Sequence, residues 1–153
     1  MMAKKLCIHL LVSLCLALSA FTAQAEELIM MRVTQTFPET MVNLQSAIIK
    51  TGYKISRVQR VDIGLTKSGF KTDKYRVVFF GKPEEIEMLA SKHSDLIPYL
   101  PLKISIFSEN NDTILISNSP LTLAGFYKDI PNEIFQRWYK DINAIFQLTK
   151  NTE

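Results

Sequence analysis

Apolar and polar positions divide the chain into short segments of two periods. Leu28-Ile-Met-Met-Arg-Val-Thr34 reads as a first strand. Met41, Leu44, Ala47 and Ile48 then recur at helical spacing behind Phe37-Pro38. Pro38 suits a first helical turn, and Thr36 with Glu39 has the spacing of a capping box. Gly52 predicts the helix end, because glycine takes the left-handed terminal conformation without penalty. A strand follows over Tyr53–Val61, with Tyr53, Ile55 and Arg57 expected on one side. Asp62 opens a short helical turn that Gly69 stops.

Lys74–Phe80 is the clearest strand, rich in β-branched and aromatic residues, and its continuous apolar end predicts burial on both faces. Glu84–Lys92 predicts a short helix with carboxylates at its positive end. Ile97–Pro101 is expected to be irregular, since its two prolines remove backbone donors. Leu102, Ile104 and Ile106 alternate with Lys103, Ser105 and Phe107, and Thr113–Ser117 returns beyond an Asn-Asn-Asp turn as a hairpin partner. Leu121–Lys128 has no clear period. Pro131 opens a final helix with Ile134, Phe135, Trp138, Ile142, Ile145 and Phe146 on one face. The order β-α-β-β-α-β-β-α predicts an α+β fold: a two-layer sandwich, mostly antiparallel, with helices on one face of the sheet.

The first 25 residues follow a different pattern. Lys4 and Lys5 precede an apolar run from Leu6 to Ala20, and Ala23-Gln24-Ala25 places small residues before Glu26. This is the three-part secretory pattern, with cleavage expected after Ala25. The run is shorter than the roughly 20 residues that span a bilayer. The expected product is residues 26–153, a single periplasmic or secreted domain of a bacterial envelope, with no membrane span after processing.

Removing that leader changes the composition. Both cysteines, Cys7 and Cys15, leave with it, as does His9, so His93 is the one remaining histidine. Disulfides, thiol chemistry and zinc sites of several Cys or His ligands are then excluded, and no cofactor or metal is expected. Net charge falls from +3 to +1, which demands no nucleic-acid partner. Residues 54–82 are nonetheless basic, with eight Lys and Arg against Asp62 and Asp73. An anionic lipid, polymer or partner would suit such a stretch if it formed one patch; ordinary solvated faces are the plainer reading.

Several segments resemble the domain-of-unknown-function 302 family between about Thr36 and Pro120. Phe37-x-Glu39-Thr40 and Gly52-Tyr-Lys-Ile55 match its opening helix and strand. Val77–Pro83 is similar to its Phe-Gly-Asn-Pro signature, with Lys82 in place of Asn. Leu100-Pro-Leu-Lys-Ile104 resembles its Leu-Pro-Leu strand entry, and Ser117-Asn-Ser-Pro120 its Tyr-Asn-Asp-Pro end, with Tyr and Asp replaced. The resemblance implies a small α+β fold that often dimerises. It implies no activity and carries over no catalytic residue.

Candidate chemistry is sparse. His93 has Ser91, Ser94 and Asp95 nearby, but neighbours in sequence rarely form a triad, and a helix-end histidine is the better reading. Glu84, Glu85 and Glu87 complement the helix dipole. Met30, Met31, Met41 and Met88 suit core filling better than copper binding. Gly81-Lys82-Pro83 has the placement of an anion site but lacks one donor. The ligand-binding candidates are therefore Lys82, His93, Tyr99 and Asn118. A non-enzymatic exported domain, binding a small ligand or an envelope protein and forming a homodimer, is the leading expectation. The alternatives are a hydrolase-type enzyme using scattered carboxylate, Tyr, Lys or His93, and Met/His copper handling.

Overall fold

The computed structural model describes residues 28–151. The leader and its cleavage residues Ala23, Ala25 and Glu26 lie outside them.

Five strands form one antiparallel sheet: β1 (Leu28–Val33), β2 (Lys54–Arg60), β3 (Tyr75–Gly81), β4 (Leu102–Glu109) and β5 (Asp112–Asn118), in the order β1-β5-β4-β3-β2. The helices are α1 (Phe37–Lys50), α2 (Val61–Lys67), α3 (Pro83–Lys92), α4 (Leu121–Ala124) and α5 (Asn132–Lys150). The expected α+β sandwich is present; the short helical turn expected at Asp62 forms as α2, and α4 is an additional short helix.

Alternation sorts the strands onto two faces. Ile29 and Val33, Val78 and Phe80, Ile104 and Ile106, and Leu115 meet Leu44, Ala47 and Ile48 of α1 and Ile142, Ile145 and Phe146 of α5. Leu89, Leu96, Ile130, Phe135 and Trp138 form a second cluster linking α3 to α5. On the other sheet face Met30 is exposed, while Val77 and Phe79 are only half-buried. Burial of β3 on both faces is thus half realised: among the described residues, no helix covers the far side of this strand.

Gly52, at φ +82°, ends α1 as expected. Tyr53 N–H donates to the Ile48 carbonyl and Gly52 N–H to Ile49, the paired bonds of a Schellman turn. The capping box does not form: the Thr36 side chain makes no cap bond. Pro38 removes one donor it could have served, and Thr40 closes the turn by donating its N–H and its hydroxyl to the Thr36 carbonyl.

Arg57 also departs from expectation. The β2–β3 register shifts between Ile55 and Arg57, so Tyr53, Ile55 and Val58 face the core and Arg57 is exposed. An extra residue at a β-bulge reverses the alternation beyond it. Ser94–Tyr99 is a 3₁₀ helix rather than irregular chain, with Pro98 inside it.

Candidate functional site

Two of the family-like stretches, Leu100–Ile104 and Ser117–Pro120, converge at one end of the sheet. The hairpin sets β4 beside β5, and Ser117 donates its hydroxyl to the Lys103 carbonyl at 2.9 Å. On the other side Leu28 of β1 pairs with Asn118. After β5 the chain turns into α4 as Thr122 donates its hydroxyl to the Ser119 carbonyl at 2.7 Å. The 3₁₀ helix brings in Tyr99, whose ring meets Tyr127 edge-on at 6.1 Å. Tyr127 in turn donates its hydroxyl to the Asp95 carbonyl at 2.8 Å.

These segments enclose a pocket of about 410 Å³. Leu28, Leu102, Pro120 and Leu123 give it apolar walls, and Lys103, Asn118, Ser119 and Tyr99 supply polar groups. Its composition suits a small molecule with an apolar body and a polar or anionic end. The Ser117 and Thr122 hydroxyls are already engaged with carbonyls. Ser119 is not: its residue is 1% exposed and its Oγ has no hydrogen-bond partner among the described residues. A buried hydroxyl without a partner carries a desolvation cost of about 1–3 kcal/mol.

Tyr99 and Asn118 are therefore brought together, whereas Lys82 and His93 are not among the pocket's lining residues. Lys82 sits at the N-cap of α3 with its ammonium 4.9 Å from the centre of the Tyr53 ring. His93 lies at the C-cap of the same helix. Its backbone N–H donates to Leu89 and its carbonyl accepts from Leu96, so its main chain joins α3 to the 3₁₀ helix. Lys103, Ser119 and Leu123 were missed as site residues. Convergence of the Leu-Pro-Leu and Asn-x-Pro stretches was the available signal, and it becomes visible once β4 and β5 pair.

A second polar cluster lies on the helical side. Tyr53 is buried and donates its hydroxyl to Asp141 at 2.6 Å. Burial, and then the hydrogen bond to Asp141, push the Tyr53 hydroxyl well above its ordinary ionisation range. Arg137 pairs with Glu85 and reaches Asp141 at 3.7 Å. Glu85 also accepts the Trp138 indole N–H. These groups satisfy one another, and they hold α5 to α3 and to the start of β2.

Among the described residues, no three His, Cys, Asp or Glu side chains group as a metal site, and no helix is long and apolar enough to cross a membrane. Met31 packs against the core while Met30 points out, as neighbours on a strand must.

Fold and pocket together define a small α+β sandwich with one open sheet face and a cavity where the sheet meets α4. The chain matches the family described as a domain of unknown function, DUF302, over residues 29–147, and it belongs to that family. It is similar to a solved structure described as an uncharacterized conserved DUF302 protein from Bacillus stearothermophilus. The two superpose with a TM-score of 0.72 at 20% identity, over 82% of this chain and 99% of that one. At that identity the likeness extends to the fold alone. No curated protein matches the chain.

Proposed function

We infer that this chain is an exported, non-enzymatic binding domain whose pocket between β4, β5 and α4 takes a small molecule with an apolar body and a polar end. The apolar walls of that pocket, with the polar side chains of Tyr99, Lys103 and Asn118 in the same lining, carry this reading. Asn118, Tyr99 and Lys103 offer hydrogen-bond donors to the polar end. Export rests on the leader pattern in residues 1–25.

The hydrolase alternative has less support. No histidine or carboxylate stands among the described residues lining the pocket to act as general base, and His93 belongs to a helix junction. Copper handling loses its geometric basis, because Met30 and Met31 lie on opposite sheet faces. The homodimer implied by the resemblance belongs to the same proposal. Sedimentation equilibrium reads it, and a monomer at micromolar concentration removes it.

Native mass spectrometry of protein purified from its own envelope fraction tests the binding reading. The expected result is a non-covalent added mass that is absent from a Leu123→Trp variant, in which the pocket is filled. Bare protein from that source, together with hydrolysis of a generic ester that is lost on His93→Ala, would replace binding by catalysis.

A further inference from the structure

Between β2 and β3 the chain makes an excursion that adds nothing to the core. No residue of α2 is buried, and residues 68–74 are all exposed. Phe70 stands in that loop with 63% of its surface exposed. Its position is fixed by the backbone. Gly69 has φ +86°, Gly69 N–H donates to Thr66 and Phe70 N–H to Leu65, the two bonds of a Schellman turn. The aromatic ring is thus held outward by an ordered turn.

Cations flank it in sequence, Lys74 with its ammonium 6.0 Å from the centre of the Phe37 ring. Arg60, Lys67, Lys71 and Lys74 are exposed, and none forms an ion pair among the described residues. Lys67 and Lys74 face one shallow depression beside Thr66 and Thr72. Asp62 does not offset them, because it is committed to Arg76, which holds its carboxyl below the usual range. Asp73 is the one carboxylate left. The asymmetry extends to the whole domain. Residues 54–82 carry eight basic and two acidic side chains, whereas the rest of residues 26–153 carries eight basic and thirteen acidic. Lys54 and Lys82 lie at the opposite end of the β2–β3 hairpin, so the excursion itself, from Arg60 to Arg76, carries five basic and two acidic side chains.

We propose that the α2 excursion docks on an anionic lipid surface, with Phe70 entering the headgroup boundary and Lys67, Lys71 and Lys74 held against lipid phosphates. Both signals that reversible surface binding needs, an apolar insertion and a basic patch, are present on one ordered protrusion. The local excess of positive charge favours this protrusion over the acidic remainder of the domain at the same surface. A bilayer is favoured over a soluble polyanion because the exposed phenylalanine has no role in a purely electrostatic contact.

Vesicle co-sedimentation of protein expressed from the full chain tests this. The expected result is partition onto phosphatidylcholine vesicles containing phosphatidylglycerol, none onto phosphatidylcholine alone, and release at high salt. Lys71→Ala should weaken partition about fivefold, from roughly 1 kcal/mol per surface cation. Phe70→Ala should weaken it about tenfold through lost apolar burial. Lys140→Ala, on α5, should leave it unchanged. Both excursion residues are exposed, so unaltered circular dichroism confirms that the variants fold. No partition at low salt overturns the proposal. So does partition indifferent to Phe70→Ala, and heparin binding of equal strength would then assign the patch to a soluble polyanion.

Discussion

Trp138 donates its indole N–H to Glu85 Oε2 at 3.0 Å, across the junction of α5 and α3. Trp138 is almost fully buried, so Glu85 supplies the acceptor that this N–H would otherwise lack. Glu85 also holds Arg137, which makes it more than a helix-dipole complement. Glu85→Ala is expected to lose about 2–3 kcal/mol, the cost of a buried donor left unpaired and of Arg137 losing the nearer of its two carboxylates. Glu85→Gln keeps an amide oxygen for the indole and should lose roughly half as much. Urea unfolding of the two variants reads the difference, and equal losses would assign the effect to charge alone.

Tyr53→Phe removes the bond to Asp141 while keeping the edge-on contact with Phe80 at 5.4 Å. The expected loss is about 1 kcal/mol. The sign of the pH dependence follows from the raised ionisation of Tyr53. Its contribution is full below the ordinary tyrosine value of 10.0 and declines as pH rises above it, because only the unfolded chain ionises there. In ultraviolet titration the native protein should therefore show one tyrosine that does not ionise up to the onset of alkaline unfolding. Tyr53→Phe should leave the native titration unchanged and narrow the stability gap to wild type at high pH.

Asp62 and Arg76 supply the acid-side counterpart. The Arg76 hydrogen bond, foremost, lowers the Asp62 ionisation from its ordinary 3.8. Its stabilisation is complete above that value and is lost as pH falls through the lower folded value. Asp62→Asn should cost about 1 kcal/mol at neutral pH, discounted for the partial exposure of the pair. The two proteins should converge in stability as pH falls below 3.8 and through the lower folded value. Thermal melts across that range check it, and a gap independent of pH would contradict the assignment.

Gly81 is required by packing rather than by backbone conformation. A Cβ placed there would lie 2.3 Å from Ile86 Cδ1 and 3.2 Å from Ile86 Cγ1. Gly81→Ala is expected to destabilise by about 1–3 kcal/mol through overpacking. Adding Ile86→Val removes the closer of those carbons and should recover part of the loss. A double-mutant cycle with no coupling would show that Ile86 already moves freely.

Ser119→Ala should act against the usual sign for a buried polar group. With no partner for Oγ in the empty protein, removing it should raise stability by about 1 kcal/mol. Chemical denaturation of the variant reads the change, and a loss of stability instead would mean that the hydroxyl is satisfied in solution.

Most of the fold was legible because β1, β3 and β4 bury alternate residues on one face. The alternation of Leu102, Ile104 and Ile106 and the helical stripe from Phe135 to Phe146 read directly as core. Arg57 was misplaced because a bulge leaves no mark in the apolar pattern. The Ser94–Tyr99 turn was missed because Pro98, which forbids an α-helix interior, is compatible with a short 3₁₀ turn. The site was half legible. Tyr99 and Asn118 were named, but the pocket draws on strands, a 3₁₀ turn and α4 at once. Lys82 and His93 looked reactive by composition, and their places at the two ends of α3 depend on contacts that no local pattern encodes.

The position of β1 bears on how the chain is made. Among the described residues this strand stands at the sheet's edge and pairs with β5, with Leu28 facing Asn118 and Val33 facing Thr113. A ribosome must therefore deliver nearly the whole domain before Ile29 and Val33 can be covered. Pairing so distant in sequence slows the closing step, and until then the emerging chain presents an apolar segment that other proteins can hold. Sheet order alone thus postpones the pairing of β1 until β5 is available.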